Sequence, residues 1–272
     1  MKTAVVTGGA SGLGLEFAKL LARDAYDLLL LDVNGPELGN ARNMLVQEYS
    51  VNVETIEEDL SRPGIIPSVY ERLKNRKIDI LIHNAGIGLR GFFTNTSWER
   101  EEAMIHLHVV TPTYLTKLIV KDMIHRGSGR ILLISSLGGL AHSPLITVYC
   151  ATKSYLLAFG IALASELKGT GVTLTCACPG NIRTRFQERT AAYSGTKLLK
   201  FGFFTSEPDM VALRAYRAMM SGKTFLVPGL KNKFLAGLCR VLPLTTVASI
   251  MKSILRRSIP DSTERIGPEP GI

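Results

Sequence analysis

Tyr149 and Lys153 stand four residues apart in VYCATKSYLLAFGIALASELK, a run of good helix formers. On a helix, positions i and i+4 share one face, one turn apart. An ammonium beside a phenol favours the phenolate, so the pair predicts a tyrosine that exchanges its proton more readily than a free phenol, whose pKa is about 10. Proton transfer to or from an alcohol or carbonyl oxygen is the chemistry such a pair serves. Ser136 closes the apolar run RILLIS, which reads as a buried strand. A hydroxyl at that strand end would face the following helix and hold a substrate oxygen. Taken alone, Tyr-x-x-x-Lys reads first as a solvated helix face with a packed ring; the surrounding elements change the balance.

The chain opens with KTAVVT, a Gly-rich turn and a helical pattern carrying Leu13, Phe17, Leu20 and Leu21. Gly8, Gly12 and Gly14 let the backbone turn sharply and come close to a ligand. The helix start offers free N–H groups and a positive dipole end to a pyrophosphate. A second buried strand, YDLLLLD, ends in Asp32, placed to accept hydrogen bonds from the adenosine ribose hydroxyls. Asp32 would repel the extra phosphate of NADP, and Ser11 before Gly12 supplies no cation for it, so both favour NAD. The alternative is that Asp32 merely begins the turn DVNGP.

Further along, VNVETIEEDL reads as a strand ending at Asp59. IDILIH reads as another, leading into Asn84-Ala85-Gly86, small residues where a cofactor ribose would approach the backbone. PELGNARNMLVQEY and IPSVYERLKNRK read as helices between them. Alternating strands and helices predict a parallel sheet covered on both faces, with ligands outside the carboxyl ends of its strands. Gly8, Asp32, Asp59, Asn84 and Ser136 all fall at such ends.

Residues 97–126 read as one long helical stretch with a kink at Pro112, and VTLTCACPG as a further strand. Residues 185–205 read as irregular, either a flap over a site or a long surface loop. They carry Phe186, Tyr193, Leu198, Leu199, Phe201, Phe203 and Phe204. SEPDMVALRAYRAMMSG reads as a helix capped by Ser206, and TFLVPG as a last short strand. From Leu230 two apolar-basic helical stretches are split by Pro243. Leu244, Val247, Ala248, Met251 and Leu255 can share one face, with Lys252 and Arg256 towards the other. That suits packing against the body or another subunit, or an interfacial helix in peripheral membrane contact over 230–257. Residues 1–229 read as one domain and 230–272 as an extension of it, ending in a polar, loosely held IPDSTERIGPEPGI.

The chain has 272 residues, 46% of them hydrophobic, enough for one large core. No uninterrupted apolar stretch approaches the roughly 20 residues of a membrane span, and the N-terminal apolar run is too short for a signal peptide. Cys150, Cys176, Cys178 and Cys239 show no zinc spacing, so no metal is expected. Reduced buried thiols point to a cytoplasmic protein. The net charge of +9 sits in the last third: residues 1–182 carry 17 basic and 17 acidic side chains, residues 183–272 carry 15 and 6. No nucleic-acid module accompanies that excess, which argues against DNA or RNA as a partner.

Assembled, these residues resemble the short-chain dehydrogenase/reductase family over about residues 2–228. Its motifs stand here as Thr7-Gly-Gly-Ala-Ser-Gly-Leu-Gly14, Asp59-Leu60, His83-Asn-Ala-Gly86, Ser136, Tyr149-Cys-Ala-Thr-Lys153 and Pro179-Gly180-Asn-Ile-Arg-Thr184. The resemblance implies a single α/β domain, a doubly wound parallel-sheet Rossmann-type fold with the C-terminal helical extension added. It implies an enzyme interconverting alcohols and carbonyls with NAD or, less in keeping with Asp32, NADP. Tyr149 would be the general acid or base. Lys153 would hold the nicotinamide ribose, Ser136 would orient the substrate oxygen, and Pro179, Gly180, Ile182 and Thr184 would meet the carboxamide end. Leu60 and Ala85 fall within the cofactor motifs.

Two positions depart from the family pattern. His83 replaces the first Asn of Asn-Asn-Ala-Gly. The Asn of the long helix, whose backbone carbonyl holds a relay water in relatives, falls by spacing at His108. His108 either supports a proton relay, itself able to shuttle protons, or is a packed helix residue. The aromatic flap and the apolar stretch 137–147 suggest an extended apolar alcohol or ketone, such as a fatty-acyl or steroid-like compound. The family also implies a homodimer or homotetramer built on the two long helices. An NADP-dependent 3-oxoacyl reductase is the alternative activity, and a non-catalytic nucleotide sensor the alternative class.

Overall fold

The computed structural model describes residues 2–197 and 205–259. Seven parallel strands form one sheet in the order β3-β2-β1-β4-β5-β6-β7. They are β1 (Lys2–Thr7), β2 (Tyr26–Asp32), β3 (Val53–Glu57), β4 (Ile78–His83), β5 (Gly129–Ile134), β6 (Val172–Ala177) and β7 (Phe225–Leu226). The order reverses between β1 and β4, where the chain crosses from one half of the sheet to the other and leaves a crevice above their carboxyl ends.

Alternation along each strand sends side chains to opposite faces, which explains two separate cores. Ala4, Val6, Leu28, Leu30, Ile80 and Ile82 pack beneath α1 (Gly12–Arg23), α2 (Gly35–Tyr49) and α8 (Pro208–Met220). Val5, Leu29, Leu31, Leu81, Ile131 and Leu133 pack on the other side, against α3 (Ile66–Glu71), α5 (Thr111–His125) and α6 (Thr147–Glu166). The strands are apolar almost throughout because both faces are covered.

Four local features depart from the expectations above. The long helical stretch is α4 (Trp98–Ile105) and α5 joined by a widened π turn over His106–Val110. Pro112 has no N–H to give, and the distortion falls in the turn before it. Residues 186–194, expected to be irregular, form α7 (Phe186–Ser194). Ser206 is not a helix cap: Glu207 precedes the first helical residue, Pro208, and Ser206 pairs by backbone with Ile182 and Asn181. The 20-residue α6 is long and apolar enough by composition to cross a membrane, yet it packs on β6 and carries Tyr149 and Lys153.

The tail forms α9 (Leu230–Val241) and α10 (Leu244–Arg256). Val247 and Leu255 are buried, and Leu255 clusters with Leu145, Ile259, Ile146 and Phe92. Met251 packs on the same cluster, whereas Leu244 of the expected apolar face is exposed. Leu198, Leu199, Phe201, Phe203, Phe204, the Tyr193 side chain and the segment 260–272 lie outside the described residues.

Candidate active site

A cleft of about 910 Å³ opens above the strand ends. The loop after β1 forms its floor. Gly8 and Gly12 adopt φ of +65° and +55°, backbone that favours glycine. A Cβ on Gly14 would meet the Gly8 carbonyl oxygen at 1.9 Å, so α1 approaches β1 this closely only because that position is glycine. Asn84 ties the loop to β4: its Nδ2 donates to the carbonyls of Thr7 (3.1 Å) and Gly8 (3.0 Å). The Thr7 hydroxyl oxygen accepts from the N–H groups of Asn84 and Ala85 at 3.0 and 3.1 Å. Asp32 Oδ2 accepts from the Ala10 N–H at 3.1 Å and Oδ1 from the Asn34 N–H at 3.2 Å, so the carboxylate is fixed beside the glycine loop.

At the other end stand Ser136, Tyr149 and Lys153. Ser136 Oγ accepts from the Gly138 N–H at 3.0 Å, which leaves its hydroxyl proton free to donate. Lys153 Nζ lies 5.9 Å from the centre of the Tyr149 ring and donates to the Ile134 carbonyl at 2.9 Å. The Tyr149 ring meets His108 edge-on at 5.8 Å and Phe186 at 6.1 Å between centroids. Burial pushes the phenol up to about 12, against a downward pull from the Ser136 hydroxyl. Burial likewise pushes the Lys153 ammonium down to about 8. The expected lowering of the phenol by its lysine is not seen: burial dominates both groups, because removal from water costs each its charged form.

Every candidate cofactor or catalytic residue lines this cleft except Gly14 and His108. Gly14 contributes close packing rather than contact. His108 is buried behind the cleft with both ring nitrogens engaged. Nε2 accepts from the Ile87 N–H at 3.1 Å, and Nδ1 meets Thr152 Oγ1 at 3.0 Å. Thr152 gives its own proton to the Tyr149 carbonyl at 2.9 Å, so it accepts from the imidazole and the neutral ring carries its proton on Nδ1. Burial and the Lys153 charge hold His108 well below its ordinary value. A ring locked in this tautomer positions the Gly86–Gly88 turn and α6; it is not poised to shuttle protons. His83 is also buried, paired with Thr116 Oγ1 at 3.0 Å and pushed by desolvation to about 3.

Sequence reasoning missed the far wall. Leu235, Cys239, Met251, Ile254 and Leu255, from α9 and α10, line the cleft together with Leu89, Ile146 and Phe186. Arg185 and Arg189 also line it, and both pair with Glu37 of α2, at 2.7 and 3.4 Å. The only available signal was the apolar face of α10, which points as well to ordinary packing.

The glycine cradle, the anchored Asp32 and the volume of the cleft suit a dinucleotide. Gly8, Ser11, Gly12, Asp32 and Asn84 would hold its adenosine and pyrophosphate part, and Lys153, Pro179, Gly180, Ile182 and Thr184 its other end.

A family model described as short chain dehydrogenase matches residues 2–194. A ketoacyl reductase from Nostoc sp. is 26% identical over 97% of this chain and 88% of its own length. The oxidoreductase UcpA of Escherichia coli K12 is 31% identical over 71% of this chain and 74% of its own. Among solved structures, a short-chain dehydrogenase from Sphingobium yanoikuyae in complex with NADPH superposes with a TM-score of 0.78. It is 26% identical, over 89% of this chain and 96% of its own.

Proposed function

The chain belongs to the short-chain dehydrogenase/reductase family, a nicotinamide-dependent oxidoreductase by that membership, and from this premise we propose that it interconverts an apolar alcohol and ketone with Tyr149 as general acid or base. The observation that carries the reading is that Ser136, Tyr149 and Lys153 line the same cleft as the glycine cradle. A nicotinamide held in this cleft would supply or accept the hydride. Ser136 donates a hydrogen bond to the substrate oxygen and fixes it against the phenol. Tyr149, protonated at neutral pH, gives its proton to that oxygen in the reducing direction. Lys153 would hold a ribose hydroxyl of that cofactor, and it presents a positive charge near the phenol.

Asp32 supports NAD, since a ribose carrying a phosphate would meet its carboxylate. A specific observation favours NADP as the second reading. Arg185 and Arg189 stand over the start of α2, near Asp32, and release from Glu37 would free two guanidinium groups for a phosphate. The similarity to an NADPH-bound relative points the same way.

For substrate, the wall of Leu89, Ile146, Phe186, Leu235, Met251 and Leu255 supports an extended apolar compound. Likeness to a ketoacyl reductase supports a fatty-acyl ketone. Exposed Tyr114, Tyr155 and Ile161 on α5 and α6 support a homo-oligomer; light scattering that gives a monomer mass would refute it. The exposed apolar and basic side chains on the outer sides of α9 and α10 support contact with anionic lipid.

Tyr149→Phe tests the activity. The variant is expected to keep its circular dichroism and bind NADH normally, while ketone reduction drops at least 100-fold. Undiminished turnover would remove Tyr149 from the chemistry.

A further inference from the structure

The segment 179–184 runs along the cleft between its two ends. At one, the Pro179 carbonyl accepts from the Leu137 N–H at 2.8 Å, next to Ser136. At the other, Thr184 Cγ2 lies 3.3 Å from the place a Cβ on Gly12 would take. A dinucleotide reaching from the glycine cradle to Tyr149 would therefore lie along this segment, with its nicotinamide at Pro179 and Gly180.

A side chain from the C-terminal extension stands at that end. Asn232, in the first turn of α9, lines the cleft and is only 3% exposed. α9 turns Asn232, Leu235 and Cys239 to the cleft, spaced by three and four as one helix face, and Asn232 is the one amide among them. Its Nδ2 donates to the Pro228 carbonyl at 2.8 Å. That bond fixes the orientation of the amide, because the reverse would set two carbonyl oxygens together. The nitrogen is turned to Gly229, where an added Cβ would lie 3.5 Å from it. The oxygen is turned to Gly180, where an added Cβ would lie 2.5 Å from Oδ1 and 3.0 Å from Nδ2. Gly180 lines the cleft, whereas Pro228 and Gly229 do not. Oδ1 has no hydrogen-bond partner among the described residues, and it is not one of the oxygens closed off from solvent. An amide oxygen set in an apolar helix face is costly when a bound molecule covers it without giving it a donor.

We propose that Asn232 is a cofactor-binding residue whose Oδ1 accepts a hydrogen bond from the carboxamide N–H of a bound nicotinamide; the proposal rests on the nicotinamide-dependent reading above. An amide oxygen only accepts, and so does a ketone oxygen, so a ketone offers Asn232 nothing at its reacting carbon. The carboxamide nitrogen is the donor that a nicotinamide cofactor carries to this end of the cleft. The bond would make the C-terminal extension a part of the cofactor site as well as a wall of the cleft.

The test is calorimetric titration of the full chain with NADH and with its reduced 3-acetylpyridine analogue, in which a methyl ketone replaces the amide and offers no N–H. Wild type is expected to bind NADH more tightly than the analogue. In Asn232→Leu, NADH should bind roughly tenfold more weakly while the analogue changes by less than about twofold. Equal weakening of both nucleotides would make Asn232 a tie between α9 and Pro228 alone and would overturn the proposal, as would unchanged NADH binding. Asn232→Ala, which adds no bulk, carries the same comparison if Asn232→Leu does not fold. Equal affinity of wild type for the two nucleotides would overturn the proposal without any variant. A wild type that binds neither NADH nor NADPH would overturn the cofactor reading itself, an outcome distinct from NADH binding without selective loss.

Discussion

The Lys153 ammonium sits 5.9 Å from the centre of the Tyr149 ring and spends its hydrogen bond on the Ile134 carbonyl. It is a charge held near the phenol at a cost to the fold, since burial lowers its pKa to about 8 from an ordinary 10.5. The unfolded chain therefore binds this proton more tightly than the folded one. The penalty is present in full below about pH 8 and fades as pH rises towards 10.5. A shift of this size corresponds to roughly 3 kcal/mol, offset by about 1 kcal/mol for the hydrogen bond. Lys153→Met should thus abolish turnover yet raise stability to denaturant by roughly 1–2 kcal/mol at pH 7, with the gain vanishing by about pH 10.5. A variant less stable than wild type at pH 7 would show that the ammonium is better solvated than its burial implies.

Two glycines in helices should respond in opposite ways to the same substitution. At Gly14 an added methyl would lie 1.9 Å from the Gly8 carbonyl oxygen and 2.6 Å from Asn84 Nδ2. Gly14→Ala must push α1 off β1 and open the cradle, costing about 3 kcal/mol or more and NADH binding with it. Gly39, inside α2, has nothing within 4 Å of the added methyl. Gly39→Ala should stabilise by about 0.5–1 kcal/mol with NADH affinity unchanged. Thermal melts with and without NADH would separate the two, and a tolerated Gly14→Ala would contradict the packing described.

The contrast between these positions also marks what the sequence discloses. The places of Gly8, Asp32, Asn84 and Ser136 were readable because each falls at or just beyond the carboxyl end of a strand. The sheet was readable because β-strand and helix periods alternate without interruption. Four things were not. FQERTAAYS has no apolar period to announce α7. Ser206 looks like a cap, but Pro208, which the first helical turn accepts, moves the cap to Glu207. His108 invites a proton-transfer role until its neighbours Ile87 and Thr152 are seen to occupy both nitrogens. Arg90 looks like any surface arginine, because its burial is a property of the tertiary structure alone.

Cofactor preference turns on Asp32 and Glu37 together. Asp32→Ala removes the acceptor for the Ala10 and Asn34 N–H groups and for a ribose hydroxyl. NADH should bind at least tenfold more weakly, and NADPH should lose less because it escapes the carboxylate. Glu37→Gln leaves the cradle untouched and releases Arg185 and Arg189, so NADPH should gain several-fold while NADH stays as it was. Fluorescence titration of both nucleotides against both variants reads these shifts. If wild type already prefers NADPH and Glu37→Gln changes nothing, the two arginines are surface ion-pair partners and the Asp32 argument fails with them.

The outer sides of α9 and α10 carry Leu230, Phe234, Val241 and Leu244, with exposures of 82, 72, 83 and 56%. Lys231, Lys233, Arg240 and Lys252 lie among them, and the inner sides of the same two helices line the cleft. Exposed apolar side chains on cationic helices suit the interface of an anionic bilayer. Such a surface would put the mouth of the cleft beside a reservoir of apolar substrate. Phe234→Ser with Val241→Ser alters only exposed positions, so folding and turnover of a soluble ketone should be unchanged. Co-sedimentation of the full chain with phosphatidylserine vesicles should fall about tenfold or more in this variant and should weaken in wild type as salt is raised. Equal sedimentation of the two proteins, or none by either, would leave these helices as a wall of the cleft and nothing more.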